Sequence, residues 1–319
     1  MGDGTMERLA SAYPLRVRGV SLSLLAARSA QRFLEVRVMG LAAEMAYYAL
    51  LSAFPLTAAI GTGLGLLEGI VGTEAARRAG AAIVRGLQAV FGPEATADVI
   101  APLVQALLHQ ERAGLTLGGC AVSLFFGSRL FRSVIETLDV AYRVQERRGT
   151  VSLWLLGLLL ALGAVVVTTT ILGMVVVGPL LGGARNIAGW LGLGTAFEVA
   201  WTAARWPFVF AVATAFLALL YRVGPNVRNT WTESLPGAAL GMVALVLVAV
   251  GLRVYVEATG LHSPQIEDAD DAVRVALQVI GALLAMLLWG WLSSMAVLTG
   301  GVVNAELGRL RREGRLPAP

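Results

Sequence analysis

Residues 152–180 read SLWLLGLLLALGAVVVTTTILGMVVVGPL, 29 positions without an Asp, Glu, Arg, Lys or His. As a helix rising 1.5 Å per residue, this run exceeds the ~30 Å hydrocarbon core of a bilayer. The rest of the chain agrees with it. Of 319 residues, 57% are hydrophobic and 14% charged, where a soluble domain carries about 25% charged residues. Mean hydropathy is +0.73. The fold class is therefore all-α, a polytopic membrane protein.

Outward from that run, hydropathy predicts six spans, at about 39–66, 115–142, 151–180, 198–221, 233–256 and 273–300. They make a six-helix transmembrane domain over 39–300, with a segment 1–38 before it and a tail 301–319 after it. Residues 15–38 place Arg on one side and Leu and Val on the other, the pattern of an interfacial amphipathic helix. GVSLSLLAARSA has too short an apolar core, followed at once by Arg28, Arg32 and Arg37, to read as a cleaved signal. Between spans one and two, Ala79, Ile83, Leu87 and Val90 recur at helical spacing. Val99, Leu103 and Leu107 do so again after Gly92-Pro93. A helical hairpin over 68–113, outside the membrane, is expected.

The basic residues, all Arg, set the orientation. They cluster in the N-terminal segment, after span two (Arg143, Arg147, Arg148), after span four (Arg222, Arg228) and in the tail. Alternate loops agree, so both termini are expected in the cytoplasm. The first outer loop, with Arg77, Arg78, Arg85 and Arg112, votes weakly the other way. Trp154, Trp206 and Trp231 stand near span ends, as interfacial aromatics do. The pI near 9.7 reflects these loops rather than nucleic-acid binding.

Charge within the spans is the functional signal. Arg129, Arg132, Glu136, Asp139 and Arg143 are spaced three, four, three and four, one face of a helix. Opposite them lie Leu130, Val134, Ile135 and Leu138. Charged groups inside a membrane are costly and commonly mark a site or pathway. The stripe either lines a polar cavity, or locks helices together through salt bridges, or protrudes at the headgroups with its Arg side chains snorkelling. Glu44, in span one, is a candidate partner for Arg129 or Arg132. Glu198 and Arg205 in span four, two turns apart, form a second candidate pair. Thr168, Thr169 and Thr170 offer hydroxyls for helix packing.

Signals for an enzyme are weak. His109 and His262 are far apart, and no HExxH, GxSxG or Walker A motif occurs. Glu267, Asp268, Asp270 and Asp271 lack the EF-hand spacing. The lone Cys120 excludes an intramolecular disulfide. No metal, no cofactor and no nucleic-acid partner is expected.

Four stretches resemble the YihY/BrkB family of bacterial inner-membrane proteins: AAEMAYYALLSAFPL (42–56), SRLFRSVIETLDVAYRVQERRG (128–149), YRVGPNVRNTWTESLPGA (221–238) and GGVVNAEL (300–307). In the last, Val302 stands where the family's motif often has an acidic residue. The resemblance implies a multi-pass inner-membrane protein linked to envelope integrity and to export of lipid-like molecules. It also implies that the old family label, ribonuclease BN, is a misassignment. The combined expectation is a transporter or flippase-like exporter of an amphiphilic, anionic molecule. Arg129 and Arg132 would attract the anionic group, and Glu136, Asp139 and Glu44 would balance charge or carry a proton. The alternative is a non-transporting envelope structural or assembly factor. Expected partners are membrane lipids, the anionic substrate and further copies of the chain.

Overall fold

The computed structural model describes residues 16–17, 20–71, 113–172, 174, 194–259 and 271–313. Among the described residues, a two-residue antiparallel ladder, β1 (Arg16–Val17) with β2 (Val20–Ser21), precedes seven helices. These are α1 (Leu22–Glu35), α2 (Val38–Val71), α3 (Ala113–Tyr142), α4 (Thr150–Leu172), α5 (Gly194–Val223), α6 (Trp231–Thr259) and α7 (Asp271–Arg312). Helices α2 to α7 match the six expected spans in order. Among the described residues, stretches of α4, α5, α6 and α7 are long and apolar enough to cross a membrane, and Val38–Ala53 of α2 is a shorter apolar stretch. The chain is thus an all-α polytopic membrane protein. The expected hairpin over 68–113 lies almost wholly outside the described residues.

Two element ends depart from the sequence reading. Helix α7 runs unbroken through residue 300 to Arg312, so 301–312 is not a loose tail. Val302, Asn304, Glu306 and Leu310 there are among the most buried residues. The N-terminal amphipathic helix is shorter than 15–38. Its Leu24 and Leu25 pack on Leu307 and Leu310 of α7, so part of its apolar face is taken by protein.

Helix ends are set by local chemistry. Arg143 follows α3 in the left-handed region, φ 58°. The Val144 amide donates to Asp139 O and the Arg143 amide to Val140 O, the paired bonds of a Schellman motif. Arg32 of α1 adds side-chain donors to the carbonyls of Val140 and Ala141 at this helix end. Thr230 and Glu233 form a reciprocal capping box at the start of α6. The Glu233 amide donates to the Thr230 hydroxyl (3.3 Å), and the Thr230 amide donates to the Glu233 carboxylate (2.8 Å).

With little hydrophobic drive between helices in lipid, close backbone approach and interhelical hydrogen bonds hold the bundle. Helix α2 meets α3 through a serine pair: Ser52 Oγ donates to Ser123 O and Ser123 Oγ to Ser52 O, both at 3.0 Å. Trp291 of α7 donates to Met39 O at the start of α2. Helices α6 and α7 approach at glycines. A Cβ on Gly237 would stand 2.4 Å from Asn304 Cβ and 2.6 Å from Gly300 O. One on Gly300 would stand 2.7 Å from Gly237 O and 2.9 Å from Gly241 Cα. Such contacts force backbones apart. Gly237→Ala and Gly300→Ala are each expected to lower unfolding free energy in detergent by about 1–3 kcal/mol. Gly251→Ala, which meets nothing within 4 Å, is expected to be neutral or stabilising by up to about 1 kcal/mol. Equal effects at all three positions would contradict the close approach.

Candidate functional site

The polar residues of the described bundle concentrate at one end. The start of α2, the connection 143–149, the connection 224–230 and the C-terminal part of α7 all meet there. Alternate connections on one end are what the Arg pattern requires.

At the centre of this end is a buried joint of side chains. Tyr221 of α5, fully buried, donates from its hydroxyl to Val297 O across on α7. Its hydroxyl end fits because α7 has glycine there: a Cβ on Gly300 would stand 2.6 Å from the Tyr221 hydroxyl, while one on Gly301 would stand 2.4 Å from Leu138 Cδ2. Asn304 of α7 is buried and works in two directions. Its Nδ2 donates to the Tyr142 hydroxyl of α3 (2.8 Å), and its Oδ1 accepts from the Gly237 amide of α6 (3.1 Å). Asn229 donates to Tyr221 O (3.1 Å). Three of the four stretches that carry the family resemblance, 128–149, 221–238 and 300–307, therefore converge on one joint.

Asp139 belongs to this joint. It is buried, and its Oδ1 accepts from the Asn226 amide (2.7 Å). The connection after α3 closes over it. The Arg148 amide donates to Glu146 Oε1 (2.8 Å), and its guanidinium donates to Gly224 O (3.0 Å) and Pro225 O (3.3 Å). The 143–149 connection is thereby pinned to the 224–230 connection.

Below the joint lies an ion-pair network that ties α1 in. Glu306 of α7, buried, faces Arg143 (4.0 Å) and Arg309 (3.9 Å). Arg143 also reaches Glu35 of α1 (3.8 Å), and Arg28 of α1 pairs with Glu313 (3.0 Å).

The stripe divides between two environments. Asp139 stands about 80° round the helix from Arg129, at the inner edge, and turns into the bundle. Arg129 and Glu136 are exposed on the outside of α3. Arg132 is half-buried; its nearest carboxylate is Glu136 one turn on, at 3.9 Å, and its Nε is buried without a hydrogen-bond partner. Its stem crosses α4 at Gly157, where a Cβ would lie 3.0 Å from Arg132 Cγ. The Arg129 guanidinium lies 5.9 Å from the Phe125 ring of its own helix. The opposite face is packed as expected: Val134, Ile135 and Leu138 are fully buried.

Glu44 is exposed on α2, and no ion pair joins it to Arg129 or Arg132 among the described residues. Arg205 is half-buried with its guanidinium over Trp206 (5.5 Å); the Glu198 side chain is outside the described ones. Thr170 hydrogen-bonds the Val166 carbonyl of its own helix rather than a neighbour. The sequence reading missed Asn304, Tyr142 and Tyr221. The small-xxx-small spacing of Gly237 and Gly241 was the available signal. Among the described residues no group of three or more metal-ligating side chains assembles.

Fold and joint together define a polytopic helical membrane protein whose two described short connections are bonded to each other at one end. The chain belongs to the BrkB family: the family described as Virulence factor BrkB matches residues 29–319. It is 23% identical over 270 residues to a Bacillus subtilis (strain 168) protein named ribonuclease-like protein YfkH, covering 85% of this chain and 90% of that one. No solved structure matches it.

If the joint is energetically coupled, Asn304→Ala and Tyr142→Phe are expected to destabilise less in combination than the sum of the two, with a coupling energy of about 1 kcal/mol. A double-mutant cycle by equilibrium unfolding in detergent measures it. Strict additivity would mean that the Asn304–Tyr142 bond contributes nothing.

Proposed function

We propose that the protein is a transporter or flippase-like exporter of an amphiphilic, anionic, lipid-like molecule. It would sit in the bacterial inner membrane, with both termini and the Arg-rich end in the cytoplasm. One observation carries the reading. Arg129, Arg132 and Glu136 occupy the outward flank of α3, and among the described residues none has a cross-helix charge partner. Arg129 lies about 20 Å along α3 from its end at Tyr142, well inside the bundle's length. A charge at that depth facing only hydrocarbon costs about 2.5–3.5 kcal/mol or more. A charge facing a water-filled groove or an anionic headgroup does not carry that cost. Guanidinium groups suit such a headgroup because they bind phosphate or carboxylate through paired N–H donors. Glu136 and Glu44, both exposed, are available to balance charge.

The rival reading, an envelope structural or assembly factor, draws on a different observation. The ion pairs from α1 to α3 and α7 bind the N-terminal helix to the bundle as a scaffold would need. Flux separates the two readings. In proteoliposomes that pass labelled anionic lipid or a soluble organic anion, Arg129→Gln with Arg132→Gln is expected to lower flux at least about tenfold, the loss of roughly 1.4 kcal/mol of binding or barrier stabilisation. The folded fraction would be unchanged. Undiminished flux in the double variant would remove the role given to the two arginines, and wild-type flux no higher than in protein-free vesicles would remove the transport reading and leave the structural one.

A further inference from the structure

The two arginines on the outer flank of α3 are held differently. The Arg132 stem is clamped where α3 and α4 meet: a Cβ on Gly157 would stand 2.8 Å from Ser128 O and 3.0 Å from Arg132 Cγ. Glycine at 157 lets the two helices close on the stem, as small residues do where membrane helices approach. Arg132 is half-buried in consequence. Arg129, one turn earlier, has no such support. It is exposed, and its guanidinium lies 5.9 Å from the ring centroid of Phe125 on its own helix.

The clamped side chain is short of acceptors. A guanidinium carries five N–H donors in a rigid plane. Arg132 Nε is buried and makes no hydrogen bond. The nearest carboxylate oxygen, Glu136 Oε1, stands 3.9 Å from Nη2, outside hydrogen-bonding range. Ser128, which also lines the contact with Gly157, spends its hydroxyl on Phe125 O. A charged donor withdrawn from water without an acceptor is costly, so the arrangement fits an anion that supplies the missing oxygens. Apolar surface for the rest of such a molecule stands beside it. Trp154 lies about 60° round α4 from Gly157 and is exposed, as are Leu155, Leu159 and Leu162 farther along the helix.

We infer that Arg132 anchors the oxyanion headgroup of an acyl lipid at the seam between α3 and α4, and that Glu136 is the internal counter-ion this headgroup displaces. The inference deepens the transport reading and rests on its claim that the charged flank meets an anionic, lipid-like molecule. Arg129, Arg132 and Glu136 together leave one positive charge, which a singly charged headgroup, a phosphodiester or a carboxylate, neutralises. The headgroup takes the N–H edge that Glu136 leaves unfilled, through paired hydrogen bonds, and Glu136, already largely exposed, turns away from it. Arg129 adds attraction through space, weakened by solvent screening.

The test measures binding and is separate from flux. The full chain in detergent micelles is titrated with phosphatidylglycerol carrying a fluorescent acyl chain, with the folded fraction of each variant checked by circular dichroism. Arg132→Gln is expected to weaken binding at least about tenfold and Arg129→Gln no more than about threefold, the difference between a paired N–H contact and a screened charge. Arg132→Lys keeps the charge without the planar edge and is expected to recover only part of the loss. Glu136→Gln removes the competing carboxylate and is expected to tighten binding about threefold, within the range of an exposed ion pair. A purely structural Arg132–Glu136 pair would give no such gain. Inorganic phosphate, which has no acyl chain, is expected not to displace the labelled lipid at concentrations where unlabelled phosphatidylglycerol does. Equal losses at Arg129 and Arg132, or a Glu136→Gln variant that binds no tighter than wild type, would overturn the inference. Displacement by inorganic phosphate as effective as by the lipid would overturn the assignment to a lipid. Binding that follows Arg132 in a protein whose flux does not exceed that of protein-free vesicles would sustain the anchor while the transport reading fell. Flux together with binding indifferent to Arg132 would do the reverse.

Discussion

Helices α6 and α7 come so close that no side chain fits at Gly237 or Gly300, and the rest of this end of the bundle depends on that approach. It brings Asn304 within reach of the Gly237 amide and, on its other side, of Tyr142. It also leaves room at Gly300 for the hydroxyl of Tyr221, which donates to Val297 O. In an apolar medium a free amide or hydroxyl is costly, so these bonds are conditions of the packing rather than additions to it. Leu138 fills the remaining space against Gly301 and fixes the rotation of α3. That rotation decides which stripe residues face in.

From this constraint the two sides of α3 acquire different roles. The inner edge carries Asp139 into a corner closed by Asn226, Glu146 and Arg148, where connections are fastened to one another. The outer flank leaves Arg129 and Glu136 exposed and Arg132 half-buried. A single helix thus links a bonded corner to a charged outer flank about two turns away.

Much of this was legible in the sequence. Uncharged runs as long as 152–180 fix crossing helices by length alone, and the alternation of Arg-rich connections gave the side on which they gather. The spacing of the stripe placed its charges on one helical face. Spacing could not say which edge of that face meets protein, because that depends on the rotation imposed by Leu138, Tyr221 and Gly301. The end of span six was set too early for a related reason. GGVVNAELGRLRR is punctuated by glycines and charges, so hydropathy falls after residue 300. Yet Leu307 and Leu310 keep a helical spacing and find Leu24 and Leu25. Asn304 gave no sign of its importance, since a lone Asn near a span end is ordinarily a surface residue.

The most direct measurement is a cysteine-accessibility scan of residues 125–142 in a Cys120→Ser background, using a membrane-impermeant thiol reagent on intact vesicles of both orientations. Labelling is expected at 129, 132 and 136 and at the exposed positions 125 and 140 that share their face, and absent at 134, 135 and 138. No labelling at 129 and 136 would mean that the charged flank is sealed from water. Labelling at 135 or 138 would mean that α3 is not packed as described. Either result would contradict the division of α3 into an inner joint and a water-reachable flank.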